Sequence, residues 1–263
     1  ARIQAALTVL AMPAGLLLLA GPGQGPALFN TLRTQIFFND KVTLEGRGGA
    51  LAQFNLLGPQ APSLLGELAG DVTDLPLFGW RTLPLAGADV TVQRHEGLGS
   101  AGYTLLAPAP AALAVKSALL QGGAVALHDD AYHILRVEAG VPASGCELTE
   151  QVNPLEAGLA RFCNQHKGCY TGQEIIARQI TYDKVTTHLV GLLLDELAAP
   201  QAKLMAEARQ AGWISSAVHS IALDRPIALG FVRRPHHEPG TRLAVQVGDG
   251  PVAATVAALP FAR

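Results

Sequence analysis

An α+β fold that ends in a separate small β-barrel is what the apolar patterning predicts. Strand-like and helix-like periods alternate through roughly the first 180 residues, which is the pattern of α+β units with mixed or antiparallel sheets. After Val185 the texture changes to short strands separated by Gly and Pro turns, the pattern of a small barrel. The chain has 263 residues, of which 49% are hydrophobic and 15% charged, enough for two or three small domains, each with its own core.

The elements follow in order. Residues 3–10 and 16–20 read as paired strands around a turn at 12–15. Residues 27–38 carry helical spacing through Leu28, Phe29, Leu32 and Ile36. Strands are expected at 41–44 and 50–57, and Gly58-Pro59 then opens a helix through Leu68. Strands 90–93 and 103–106 flank the glycine-rich stretch 97–102. A helix over 109–120 stops at Gly122-Gly123, and one over 128–139 stops at Gly140-Val141-Pro142. A helix over 173–182 follows a polar stretch. The barrel strands are expected at 189–194, 227–232, 243–247 and 252–257. This divides the chain into an N-terminal α+β region (1–123), a second α+β segment (124–184) and the barrel (185–263).

Composition excludes several function classes. A net charge of −2 lacks the basic footprint of a protein that grips nucleic acid. Three cysteines do not make a disulfide scaffold and fit free thiols. Residues 5–21 are apolar and follow Arg2, so they superficially resemble a signal peptide, but Pro13 and Gly15 break the run. No other stretch suggests a membrane span, and a cytoplasmic monomer is expected.

The chemistry concentrates in Lys167-Gly168-Cys169-Tyr170-Thr171-Gly172-Gln173-Glu174. Thr171 and Glu174 have the spacing of a capping box, which would start a helix just after Cys169. Free amides at a helix start, with Lys167 nearby, lower the pKa of a thiol. Glu174 and Arg178 are four apart and can pair. An inert, buried cysteine is the competing reading from chemistry alone.

This octapeptide closely resembles the signature of the YgfZ family, bacterial relatives of a mitochondrial iron–sulfur assembly factor within the glycine-cleavage T-protein superfamily. Arg136-Val137-Glu138-Ala139-Gly140 and Asn153-Pro154-Leu155-Glu156-Ala157-Gly158-Leu159 are similar to two further superfamily elements, in the same order. So are Gly58-Pro59-Gln60-Ala61, the stretch 99–108 and Ile227-Ala228-Leu229-Gly230-Phe231-Val232. The resemblance covers essentially the whole chain. It implies a ring of ferredoxin-like α/β domains plus a C-terminal barrel, around a channel that holds tetrahydrofolate. Glu138 matches the glutamate that bonds the pterin edge, where a carboxylate can accept from adjacent N–H donors. Arg136, Tyr170, Gln173, Glu174 and Arg178 are the accompanying cofactor-binding candidates, and Cys169 with Lys167 the reactive pair. The competing reading of Glu138 is a surface residue paired with Arg136 or His133.

Two departures qualify the resemblance. The aminomethyltransferases of the superfamily carry an aspartate on the strand matching residues 3–9, and Ala5 and Ala6 stand there. The family's opening strand–helix–strand segment has no counterpart, and since a truncated domain would leave an open sheet edge, it is expected to lie outside this sequence. The implied function is a tetrahydrofolate-binding accessory protein that serves iron–sulfur client proteins and, indirectly, tRNA modification. A tetrahydrofolate-dependent aminomethyltransferase is the alternative, and a scaffold with a degenerate folate site is a third reading.

Other motifs stay at background. Cys163, His166 and Cys169 lack a fourth ligand, so no metal is expected. His236-His237 between prolines reads as an exposed turn. Gly21–Gly25 lacks the Lys and Ser/Thr of a phosphate loop, and Ser215-Ser216 lacks a nucleophile-elbow context. Trp80 and Trp213 read as core or rim.

Overall fold

A computed structural model describes residues 1–247 and 250–261. The chain divides into two compact units, Leu7–His128 and the combination of Ala1–Ala6 with Asp129–Arg263. Every strand pairing within a sheet is antiparallel.

The Leu7–His128 unit begins with a two-stranded hairpin of β1 (Leu7–Met12) and β2 (Gly15–Ala20), followed by helix α1 (Gly25–Arg33). Helix α1 stops at Arg33, short of the expected 38. Beyond it the chain turns, with the Phe37 amide donating to the Asp40 carboxylate at 2.8 Å, and Phe37 and Phe38 face solvent. The strand expected at 41–44 does not form, because the segment has no ladder partner. A four-stranded sheet of order β3-β6-β5-β4 follows, from β3 (Leu51–Leu57), β4 (Trp80–Leu85), β5 (Ala88–His95) and β6 (Gly102–Pro108). Helices α2 (Ala61–Leu68) and α3 (Ala112–Gln121) supply Leu65, Val115 and Leu119 to its core, where they meet Val90, Val92, Tyr103 and Leu105. Sequence patterning misses β4. It carries Pro84, which cannot donate to a ladder, and β4 lies at the sheet edge where that is tolerated.

The other unit carries helix α4 (Asp129–Glu138), helix α5 (Gln173–Thr181) and six strands: β7 (Thr187–Leu194), β8 (Lys203–Ala206), β9 (Arg209–Ser220), β10 (Arg225–Arg233), β11 (Arg242–Val247) and β12 (Gly250–Ala257). The strands close into a barrel of order β10-β7-β12-β11-β8-β9. Closure removes the sheet edges. Leu192, Leu194, Leu204, Ile214, Val245 and Val256 fill the interior. Strand β10 is buried on both faces. Ala228 and Val232 join that interior, while Ile227 and Leu229 form a second cluster with Val137 of α4, Val218 and Phe261. Helix α4 therefore covers the outside of the barrel, and each aliphatic side chain buried there contributes roughly 1.5–3 kcal/mol. Strands β8 and β9 escape the sequence reading because Lys203, Arg209, Gln210 and the Ser215-Ser216 pair hide their period.

Helix α4 ends sharply. Gly140 takes φ +68° and the Val141 amide bonds back to the Arg136 carbonyl at 2.8 Å, a Schellman closure. A Cβ at Gly140 would also lie 2.9 Å from the Leu259 side chain.

The tightest backbone approach in the barrel is at Gly212 of β9, where an added Cβ would lie 2.0 Å from the Phe231 carbonyl oxygen. Gly212→Ala must push β9 from β10. A loss of about 1–3 kcal/mol is expected in urea unfolding, with the slope of the transition unchanged.

Candidate functional site

The last turn of α4 buries two charged residues beside Val137. Arg136 is 2% exposed and Glu138 4%. Arg136 Nη1 donates to Glu147 Oε2 at 2.9 Å and to the Val141 carbonyl at 3.2 Å. Its Nη2 donates to Ser216 Oγ at 2.6 Å, and its Nε to His133 Nδ1 at 3.1 Å. Glu147 is fully buried and also accepts from the Ala143 amide (3.0 Å), Ser215 Oγ (2.8 Å) and Ser216 Oγ (2.6 Å). Glu138 Oε1 accepts from Ser220 Oγ at 2.6 Å and from the Ala222 amide at 3.2 Å, both at the turn from β9 to β10. Arg136 thus acts within the protein, bracing α4 against β9, and Glu138 is a buried carboxylate held at that turn rather than a surface residue. Sequence reasoning missed Glu147, Ser215, Ser216 and Ser220. The one available signal was the polar Ser215-Ser216 pair inside an otherwise apolar stretch.

The octapeptide forms the approach to α5. Asn164 Oδ1 accepts from the amides of His166 (2.7 Å) and Lys167 (3.1 Å), a local turn that sets the loop. Gln173 reaches back, its Nε2 donating to the carbonyls of Lys167 (3.2 Å) and Gln165 (3.4 Å). Lys167 Nζ lies 5.1 Å from the Tyr170 ring centroid, within cation–π range. Tyr170 Oη is buried and has no hydrogen-bond partner. Cys169 is exposed, while Cys146 and Cys163 are partly covered. The expected capping box does not form. Gly172 is the N-cap, at φ +90°, with no side-chain cap, so the Thr171 hydroxyl is not the start of the helix. Glu174 instead faces solvent and pairs loosely with Arg178 at 3.7 Å. Such an exposed pair contributes only about 0.3–0.5 kcal/mol.

The candidates therefore fall into two groups, Arg136 with Glu138 on α4, and Lys167, Cys169, Tyr170 and Gln173 at the start of α5 with Glu174 and Arg178 along it. Both belong to the barrel-containing unit, as do Ala5 and Ala6. Ile3 anchors that opening segment by donating its amide to the Val152 carbonyl at 3.0 Å. His237, expected in an exposed turn, is instead half-buried and stacks on His188 at 4.3 Å. Among the described residues no cluster of three or more His, Cys, Asp or Glu is arranged to hold a metal, and no helix is long and apolar enough to cross a membrane.

Burial pushes the Cys163 thiol above its ordinary range. Exposed Cys169 is therefore expected to alkylate fastest of the three thiols at neutral pH, measured by mass spectrometry of time-quenched samples. Burial, and then the Arg136 guanidinium, hold the His133 imidazole below the ordinary histidine range. The unfolded chain then binds more protons just below about pH 6.5, so stability falls as pH drops through that value toward the folded-state pKa. Urea midpoints at about pH 5.5 should lie below those at about pH 7.5, and His133→Gln should reduce the difference.

Comparisons with known proteins agree with this architecture. Residues 2–167 match the GCVT N-terminal domain, and residues 188–262 match the glycine cleavage T-protein C-terminal barrel domain. A candidate chloroplastic transferase of Arabidopsis thaliana is 29% identical over 95% of this chain and 57% of its own length. An aminomethyltransferase of Saccharopolyspora erythraea is 33% identical over 78% of this chain and 58% of its own. The chain thus spans less than two thirds of either relative. The crystal structure of the glycine cleavage system aminomethyltransferase T from Bartonella henselae superposes with a TM-score of 0.81, covering 100% of this chain and 73% of that one at 22% identity, which speaks for the fold. On the two domain matches together, the chain belongs to the glycine-cleavage T-protein family.

Proposed function

We propose that the chain is a tetrahydrofolate-binding accessory protein of the YgfZ type, supporting the assembly or repair of iron–sulfur proteins and, through them, tRNA modification. The observation that carries this reading is an exposed Cys169 thiol beside the buried, unpartnered Tyr170 hydroxyl, within an octapeptide that resembles the YgfZ signature. A buried hydroxyl without a partner is costly, and a polar ligand or partner atom would relieve it.

Tetrahydrofolate fits the residues by chemistry. Glu138 offers a fixed carboxylate acceptor for the N–H donors of a pterin, and Tyr170 a hydroxyl that can donate or accept. When bound, the folate would supply a one-carbon carrier. The chain's own residues would hold and orient it. Arg136 supports Glu138 through the helix they share, and Lys167 and Gln173 shape the loop that displays Cys169. The relatives named as aminomethyltransferases favour the second reading, tetrahydrofolate-dependent aminomethyl transfer. Alanine at positions 5 and 6 weighs against it, since neither side chain can hold or move a proton.

Calorimetric titration with tetrahydrofolate tests the binding half. Glu138→Ala is expected to weaken affinity about ten- to a hundredfold, and equal affinity would remove Glu138 from the site. No methylene-tetrahydrofolate should form from an aminomethylated carrier protein; its formation would establish the second reading. Cys169→Ala should fail to restore an iron–sulfur enzyme in a strain lacking its own factor. Full rescue would sink the thiol's assignment.

A further inference from the structure

We infer that His188 is a proton-operated switch on the clamp that ties the end of α5 to the barrel. The clamp is Arg234, the residue after β10. Its Nη1 and Nη2 donate to the two carboxylate oxygens of Asp183, each at 2.8 Å, and Nη1 also donates to the Asp183 carbonyl at 3.2 Å. Its amide donates to the Thr186 carbonyl at 2.9 Å. Asp183 lies just beyond α5 at φ +48°, where the helix stops and the Lys184 amide bonds back to the Gln179 carbonyl at 2.9 Å.

The guanidinium Nε of Arg234 donates to His188 Nε2 at 3.2 Å. An arginine Nε always carries its proton, so His188 Nε2 must be the bare ring nitrogen and Nδ1 the protonated one. The Val185 carbonyl also lies 3.2 Å from Nε2, and a bare nitrogen donates nothing to it. A proton taken from solvent by Nε2 reverses both contacts. Nε2–H then donates to Val185, while Arg234 loses an acceptor and faces a like charge. The two arrangements exclude each other at one atom.

The groups around this atom set when it takes the proton. Burial first, then His237 stacked at 4.3 Å and Arg234, hold His188 below the ordinary histidine range, while the Val185 carbonyl and Asp183 act the other way. Asp183 is not the sensor near neutrality, since hydrogen bonds from Arg234 hold its carboxyl below the ordinary carboxylate range. Glu238 is engaged with His237 Nε2 at 3.3 Å. The folded chain therefore resists the proton, and the clamp weakens as pH falls below about 6.5 toward the folded-state value.

Amide hydrogen exchange on the full chain tests this, with protection factors compared at about pH 7.5 and about pH 5. The Lys184 and Arg234 amides are expected to lose about two- to fivefold in protection at the lower pH, relative to amides of the β7–β12 ladder, as the worth of an exposed ion pair implies. His188→Gln keeps an acceptor near the Nε2 position but cannot take the proton, and it should show equal protection at both pH values. His237→Gln should keep the parent's response. A parent with no response overturns the inference. So does a response that survives in His188→Gln or vanishes in His237→Gln, since either places the sensor elsewhere. Ring-nitrogen chemical shifts of the parent add a measurement free of any substitution. The Nδ1–H tautomer of His188 is expected at about pH 7.5, and an Nε2–H tautomer there overturns the inference as well.

Discussion

A buried ion pair decides where α4 can sit. The Arg136 and Glu147 side chains are 3% and 0% exposed, and removing two such charges from water costs several kcal/mol each. Their attraction offsets that cost only if the remaining protons and lone pairs are also engaged. They are engaged from three directions: His133 and the helix itself, the turn at 141–148, and Ser215 and Ser216 of β9. Any rotation of α4 on the barrel would strip a partner from a buried charge, at about 3–5 kcal/mol when one side of such a pair is lost. The contact of Val137 with Ile227 and Leu229 is apolar and would tolerate sliding. The ion pair does not, and it delivers Glu138, two residues further along, to Ser220 and Ala222.

The serine pair can serve one carboxylate only because β9 is irregular there. In a regular strand, adjacent side chains point to opposite faces. The register between β10 and β9 jumps from Leu229 opposite Ser216 to Gly230 opposite Ile214, so Ser215 has no cross-strand partner. That bulge puts both hydroxyls within 2.8 Å of Glu147 Oε1. Bulges re-aim side chains at functional and structural sites alike, at the expense of one ladder position. Here Ser215 Oγ also lies 3.0 Å from the Leu229 carbonyl, so its single proton can serve either that carbonyl or Glu147.

How far the molecule was legible in its sequence follows from these same residues. Strands β7 and β10 announce themselves because Leu192, Leu194, Ile227 and Leu229 are aliphatic wherever they pack. Strand β9 does not, since its core-facing serines answer a glutamate 68 and 69 residues away, and no local pattern encodes that distance. Helix α4 was legible at both ends, yet the burial of its charged residues was not, for the same reason. The octapeptide shows a different limit. Its residue types point to a helix start, and α5 does begin there. But a capping box needs the N-cap in an extended conformation. Gly172 takes the left-handed region instead, which only glycine enters freely, and the cap passes from Thr171 to a residue without a side chain.

Glu138 and the Cys169 loop are therefore held by different kinds of contact within one unit. The Glu138 carboxylate is fixed by contacts more than 80 residues away in the chain, on a helix locked to a closed barrel. The Cys169 loop is held mainly by its own neighbours, through Asn164, Gln173 and the stacking of Lys167 on Tyr170. Local contacts of this kind open at far lower free energy than a barrel does. The exposed Cys169 sulfur is therefore carried by short-range contacts, while the Glu138 carboxylate is held through the closed barrel.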